Sequence, residues 1–322
     1  MSGVQLRVRA FAVAVVTVVS LGACTNPAAE PIQEPSGPMR GVEVAVGGTD
    51  EATDRIMSAL VVVALEERGA TVLDRSGTEG SALNRDDLAA GRLDIVPEDI
   101  GTGWFIHLGQ TEQFARTTEL LRSLRELDRS NGIMWSEQSL FDDALAAVAD
   151  SDAVTGDDGE VISVLQLSER LSNSFDAVVC LDRSTLESPD GLVRFERATG
   201  FTIPAEQLEV LEADVLIDAV AEDDCTVAFV PGIDPRIGDR GLAVIDRFAP
   251  AGLRENIFIP RNASYMVDAE FATEWAEWWT PFAESLMASL DGTTMTMLKA
   301  DLANGDAVSD IARDHLEKAG LL

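Results

Sequence analysis

The stretch with the most concentrated chemistry is Gly91-Arg-Leu-Asp-Ile-Val-Pro-Glu-Asp-Ile-Gly-Thr-Gly-Trp104. Leu93, Ile95 and Val96 suit the interior of a sheet, and Pro97, lacking an N–H, is expected to end the ladder. Glu98 and Asp99 then arrive side by side at a corner containing Gly101 and Gly103, with Thr102 between the glycines and Trp104 behind. Glycines there let a backbone come close to a ligand. A carboxylate, a hydroxyl and an indole at such a corner can hold a small cation through charge-assisted hydrogen bonds and ring contact. The same residues read equally well as a solvated turn.

Signals for covalent or metal chemistry are sparse. There is no Gly-x-Ser-x-Gly elbow, no Gly-x-x-x-x-Gly-Lys-Ser/Thr phosphate loop and no His-Glu-x-x-His. His107 and His315 are the only histidines, too few for the commonest metal and triad arrangements. Asp86-Asp87, Asp142-Asp143, Asp157-Asp158 and Glu222-Asp223-Asp224 are adjacent acids whose side chains point to different sides and suit water better than catalysis. No catalytic residue, metal site or cofactor is expected, and the chain reads as a binding protein rather than an enzyme.

Twenty-four Lys and Arg against 56 Asp and Glu give a formal net charge of −32. Such a surface repels nucleic acid and anionic lipid heads, so neither is an expected partner. The acidity is spread over the chain and locates no site. Only Lys299 and Lys318 are lysines.

At the N-terminus, Arg7 and Arg9 precede an apolar run over 10–19 that closes on Leu21-Gly-Ala-Cys24. This is the pattern of a lipoprotein-type secretory signal, although Gly22 stands where Ala or Ser is usual. The run is shorter than the roughly 20 residues a membrane-spanning helix needs; an uncleaved anchor is the alternative. The expected organisation is a signal peptide over 1–23, a lipid on Cys24 and a proline-rich tether over 24–40. The mature protein would then be extracytoplasmic and anchored to the cell membrane. Cys180 and Cys225 remain, a disulfide candidate in that compartment, with two buried thiols as the alternative.

Beyond residue 40 the pattern alternates between strands and helices. Strands are expected over 42–46, 70–73 and 93–96, and helices over 51–68 (capped by Thr49 or Asp50), 84–90 and 113–128. A second set follows the acidic loop at 150–160: helices over 164–171, 192–199 and 215–221, and strands over 177–180, 209–211 and 226–230, with further strands over 242–245 and 257–259. Helices over 269–289 and 308–319 close the chain, and Trp275, Trp278, Phe282 and Leu286 form a helical stripe that reads as core. The fold class is α/β, in two lobes with a cleft between them. Crossings are expected near 141–148 and 231–237, which assigns 41–140 and 236–322 to lobe I and 141–235 to lobe II.

Several blocks carry a resemblance, in order along nearly the whole body. They are Ser81-Ala-Leu-Asn-Arg85 with Leu88, Gly91, Asp94-Ile95, Pro97-Glu98 and Gly101-Thr102, then Gly132-Ile-Met-Trp135 and Phe141-Asp-Asp143, then Ser188-Pro-Asp-Gly-Leu192 and Pro231-Gly-Ile-Asp-Pro-Arg-Ile237. The set resembles the glycine betaine/choline-type substrate-binding proteins of ABC importers. The resemblance implies a two-lobed periplasmic-binding-protein fold of type II, with an ABC permease and its ATPase as partners and a small polar or cationic osmoprotectant-like solute as ligand. It also implies an aromatic cage for a quaternary ammonium. Two tyrosines of that cage fall at positions that here read Asp99 and Leu145, and the polar residue after the first strand falls near Thr53. The only tyrosine is Tyr265. The expected ligand residues are Thr49, Asp99, Thr102, Trp104, Trp135, Phe141 and Asp234. A carboxylate in place of a ring selects a cation that donates an N–H, or a hydroxyl. The alternative is a transport-inactive lipoprotein on the same fold that acts as a protein-interaction module.

Overall fold

The computed structural model describes residues 37–114, 116–156, 158–188, 190–245 and 257–322. The expected signal peptide, Cys24 and most of the tether lie outside these residues. Among the described residues ten strands form two five-stranded sheets. The first holds β1 (Glu43–Val46), β2 (Thr71–Asp74), β3 (Ile95–Asp99) and β4 (Ile133–Trp135). The second holds β5 (Leu145–Asp150), β6 (Val179–Leu181), β7 (Leu208–Val210), β8 (Val227–Pro231) and β9 (Leu242–Val244). The chain then returns to the first sheet as β10 (Ala263–Asp268). The orders are β2-β1-β3-β10-β4 and β7-β6-β8-β5-β9. Each sheet is built of parallel neighbours with one antiparallel insertion: β10 between β3 and β4, and β5 between β8 and β9.

Helices cover both faces of each sheet, so the apolar core is divided into four slabs. Helix Ala52–Glu67 and the C-terminal helices pack around Tyr265, Trp279 and Phe282 on one face of the first sheet. Leu88, Trp104, Leu124 and Trp135 fill the other face. In the second sheet, Phe195, Phe229 and Phe258 pack on one face, and Ile217, Val220, Cys180 and Cys225 on the other. Cys180 and Cys225 are joined as a disulfide, with Cα atoms 5.9 Å apart.

Several expected boundaries move. The Pro-Gly at 231–232 reads as a return crossing, but Asp234 pairs with Arg236 and a short helix, Arg236–Asp239, turns the chain back onto the second sheet. There β9 pairs with β5 in the register Val148↔Val244, so the return crossing lies between Val244 and Ala263. Residues 257–259 are buried but join no ladder, because side chains take up their backbone groups: Asp190 accepts from the Ile259 N–H and Arg194 donates to the Ile257 carbonyl. The expected helix over 269–289 breaks at Trp275 into Ala269–Glu274 and Ala276–Ser289. Helix Ala52–Glu67 has neither expected cap; Glu51 is its N-cap, without a side-chain bond.

Candidate functional site

The corner after β3 is shaped by its neighbours. Pro97 does not end the strand. Tyr265, opposite it in β10, turns its N–H and C=O toward Ser136, so no ladder bond is lost at the proline. The strand therefore runs on to Asp99, opposite Ala263. Gly101 then donates its N–H to the Pro260 carbonyl at 3.2 Å. A Cβ at Gly101 would lie 2.2 Å from that carbonyl oxygen and 2.3 Å from Ile259 Cγ2. At Gly103 a Cβ would lie 2.6 Å from the Trp135 ring. The glycines admit protein, not a ligand: Gly101 lets the return crossing lie against the corner and deliver Arg261 beside Asp99. Gly101→Ala is expected to push residues 259–261 outward and to destabilise the fold by about 1–3 kcal/mol, read from urea midpoints. An unchanged midpoint would show that the crossing has slack.

Arg261 is surrounded by carboxylates. Its Nε lies 3.9 Å from Asp99 Oδ2 and its Nη1 lies 3.8 Å from Glu51 Oε2. Burial opposes its charge, yet Asp99, Glu51, Asp190 and Asp143 together hold its pKa above the ordinary arginine value. Burial pushes Asp99 well above the usual carboxylate range; Arg261 opposes this, while Glu98, Asp54 and Glu51 add to it. Asp54, in the first turn of helix Ala52–Glu67, is raised to about 7 by burial and by Glu98, against the stabilising Thr49 bonds. Those bonds run from Thr49 Oγ1 at 2.7 Å and from the Thr49 N–H at 3.2 Å. Asp190 comes from the second-sheet side and is raised to about 6, again chiefly by burial, with the Ile259 N–H, Arg194 and Arg261 opposing. The Asp99 and Arg261 side chains keep 21% and 32% of their surface exposed, so a small solute can reach them.

Glu98 is committed to its own neighbours. It accepts from the Ser81 hydroxyl and from the Asp99 N–H at 2.8 Å, and His107 Nε2 lies 2.9 Å from its Oε2. Ser81 and Glu98 both meet the same ring nitrogen of His107. A nucleophile relay needs the two ring nitrogens in separate roles, so this is a structural cluster.

Of the expected ligand residues, Asp99 and Thr49 belong to this cluster, Thr49 through its bonds to Asp54. Thr102 is half-buried beside it, at the start of a π-helical turn, Thr102–His107. The rings do not join this cluster, and Trp135 borders a different pocket, beside Arg125, Glu137 and Trp279. Trp104 is buried against Phe114, and its Nε1 donates to the Glu112 carbonyl at 3.0 Å. Trp135 is buried with its Nε1 on Asp128 Oδ2 at 2.7 Å, and Phe141 lies in the core of the first sheet. These three are packing residues, because their polar edges and faces are already matched by protein. Asp234 is also corrected: Arg236 takes its carboxylate, at 2.8 Å from Nη2 and 3.0 Å from Nε. Leu145 packs against the core of the second sheet, and Tyr265 is buried with its hydroxyl on the Met57 carbonyl. Glu51, Asp54, Asp190 and Arg261 were not anticipated. Asp190 had a signal, since it lies inside the Ser188–Leu192 block; Arg261 had none in its local sequence.

Two mixed α/β sheets linked by two crossings, with polar side chains gathered at a crossing, define the periplasmic-binding-protein class. Over residues 42–318 the chain matches OpuAC, the substrate binding domain of ABC-type glycine betaine transport systems, and it belongs to that family. It is accordingly a solute-binding protein of an ABC importer, a class that works outside the cytoplasm. Among the described residues no helix is long and apolar enough to cross a membrane. The chain is 23% identical over 285 residues to the glycine betaine-binding protein YehZ of Escherichia coli (strain K12), covering 86% of this chain and 90% of that protein. The solved structure of apo YehZ from the same organism superposes with a TM-score of 0.67 at 21% identity, covering 87% of this chain and 99% of the other. A crystal structure described as a glycine betaine/carnitine/choline ABC transporter superposes with a TM-score of 0.71 at 17% identity, covering 86% and 99%.

Proposed function

We propose that the solute delivered to the permease is a small cation or zwitterion bearing N–H groups, held by Asp99 and Asp54 with Asp190 and Arg261 beside them. The carrying observation is the charge balance: Asp99, Glu51 and Asp190 act on Arg261 and Asp54 acts on Asp99, while the cations facing them are Arg261 and, 3.6 Å from Asp190, Arg194. Desolvated carboxylates in excess favour a cation, and they favour most one that donates hydrogen bonds to them. A methylated quaternary ammonium has no such donor and depends on rings. Here the rings are in the core and a carboxylate stands at the expected tyrosine position.

Calorimetric titration with ethanolamine, choline and glycine betaine tests this. Ethanolamine is expected to bind and glycine betaine to bind weakly. Asp99→Asn is expected to weaken ethanolamine by about ten- to a hundredfold, the equivalent of one charge-assisted bond at about 1.5–3 kcal/mol. Tight glycine betaine binding that survives Asp99→Asn would overturn the proposal.

The protein is further proposed to be a lipoprotein held at the membrane through Cys24. The supporting features are the charged, apolar and small-residue segments before that cysteine. Cys24→Ser should release the chain from the membrane fraction, and unchanged partitioning would remove the claim.

A further inference from the structure

We infer that Lys299 is a positioning residue for the solute site, acting on Arg261 through Asp143. This rests on the reading of the Arg261 cluster as that site. Lys299 is one of two lysines in the chain and is buried in helix Gly292–Ala303, remote in sequence from every residue of the cluster. Its Nζ forms an ion pair with Asp143 Oδ2, and Asp143 is buried as well. The same oxygen accepts from Thr53 Oγ1 at 2.8 Å, and Asp143 Oδ1 accepts from the Ile233 N–H at 3.4 Å. Thr53 is the residue before Asp54, and Ile233 follows the end of β8. One carboxylate therefore ties the helix that carries Asp54, the C-terminal helices and the end of the second sheet to the outgoing crossing.

That crossing in turn holds Arg261 by both of its main-chain polar groups. The Asp143 N–H donates to the Arg261 carbonyl at 3.2 Å, and the Arg261 N–H donates to Asp142 Oδ1 at 2.8 Å. The outgoing and returning crossings are thus joined at residues 142–143 and 261. Whatever fixes the Asp143 carboxylate fixes the backbone from which the Arg261 guanidinium reaches Asp99. A buried carboxylate keeps its charge and its place only if it is paired. Lys299 supplies the pairing charge, and Thr53 and Ile233 supply the remaining bonds. Without the lysine, the Asp143 carboxylate loses its ion-pair partner, and residues 142–143 lose their anchor.

The test reads the site without any ligand, by carboxyl-carbon NMR titration of Asp99. Lys299→Gln combined with Asp143→Asn leaves the net charge of the pair unchanged, so direct electrostatics at Asp99 change little. With Arg261 less firmly placed, the Asp99 midpoint is expected to move up by about one pH unit. Lys299→Arg, which restores the charge and the donor, should return it to the wild-type value. Thr53→Val removes a single bond from the same node, is tolerated more easily, and should shift the midpoint in the same direction by less. If both lesions lower the melting temperature and leave the Asp99 midpoint in place, Lys299 is only a structural lysine and the inference is wrong. Failure of ethanolamine to bind the wild type would instead overturn the solute assignment, and the NMR result would be unaffected by it.

Discussion

Replacing both Cys180 and Cys225 by alanine is expected to lower the unfolding free energy by about 4 kcal/mol. The two cysteines are 45 residues apart in sequence, and the entropy of closing a loop of that length is what the bond removes from the unfolded chain. The enclosed loop contains β6, β7 and the helices Leu192–Thr199 and Leu216–Ala221, so the loss falls on the second sheet. Both residues are buried in one apolar slab with Ile217 and Val220, and alanine keeps that slab free of unpaired polar groups. For a body of this size the melting temperature should drop by about 10 °C. Reduction of the wild type before melting should give the same drop. A reduced protein as stable as the oxidised one would mean that the bond does not constrain the unfolded chain.

The second large effect is a pair of opposite pH trends. Asp54 at about 7 and Asp190 at about 6 keep their protons in the folded state well above the pH at which a free carboxyl loses them. The unfolded chain then binds fewer protons than the folded one between about pH 4 and 7, so ligand-free stability falls as pH rises through that window, and the raised Asp99 acts in the same direction. The fall is a few kcal/mol at most, because both groups interact with neighbours and Asp54 is only half-buried. Asp54→Asn should flatten the slope. Binding of a cation runs the other way, since it needs the carboxylates charged. The apparent affinity for ethanolamine should fall by up to about tenfold for each pH unit below 7, for one proton released. Titrations at pH 5, 6, 7 and 8 check this. An affinity that does not change across the series would mean that neither Asp54 nor Asp190 ionises on binding.

Much of the fold was legible because each sheet writes a local signal. Apolar strands of three to six residues alternate with amphipathic helices, and the glycines that end them are visible in order. The return crossing was misplaced because Pro231-Gly232 looks like a break, whereas what settles the path is the pairing of β9 with β5, a non-local event. The site was less legible for the same reason. Asp99 stood out, since a carboxylate at a glycine corner is unusual in type. Trp104, Trp135 and Phe141 have the right chemistry for a cage, but whether a ring faces a cleft or a core depends on the helices packed above it. Arg261 carries no local mark. It reaches the corner only because Gly101 has no side chain and residues 142–143 hold its backbone.

The central claim, that carboxylates rather than rings select the solute, is tested most directly by one methylation series. Glycine betaine, dimethylglycine, sarcosine and glycine share a carboxylate and differ in the number of N–H donors on nitrogen, from none to progressively more. Measured by calorimetry above pH 7, the affinity should rise at each step as a methyl group is replaced by hydrogen, with glycine betaine the weakest. An affinity that falls along the same series, with glycine betaine the tightest, would contradict the account and return the protein to selection of methylated ammonium.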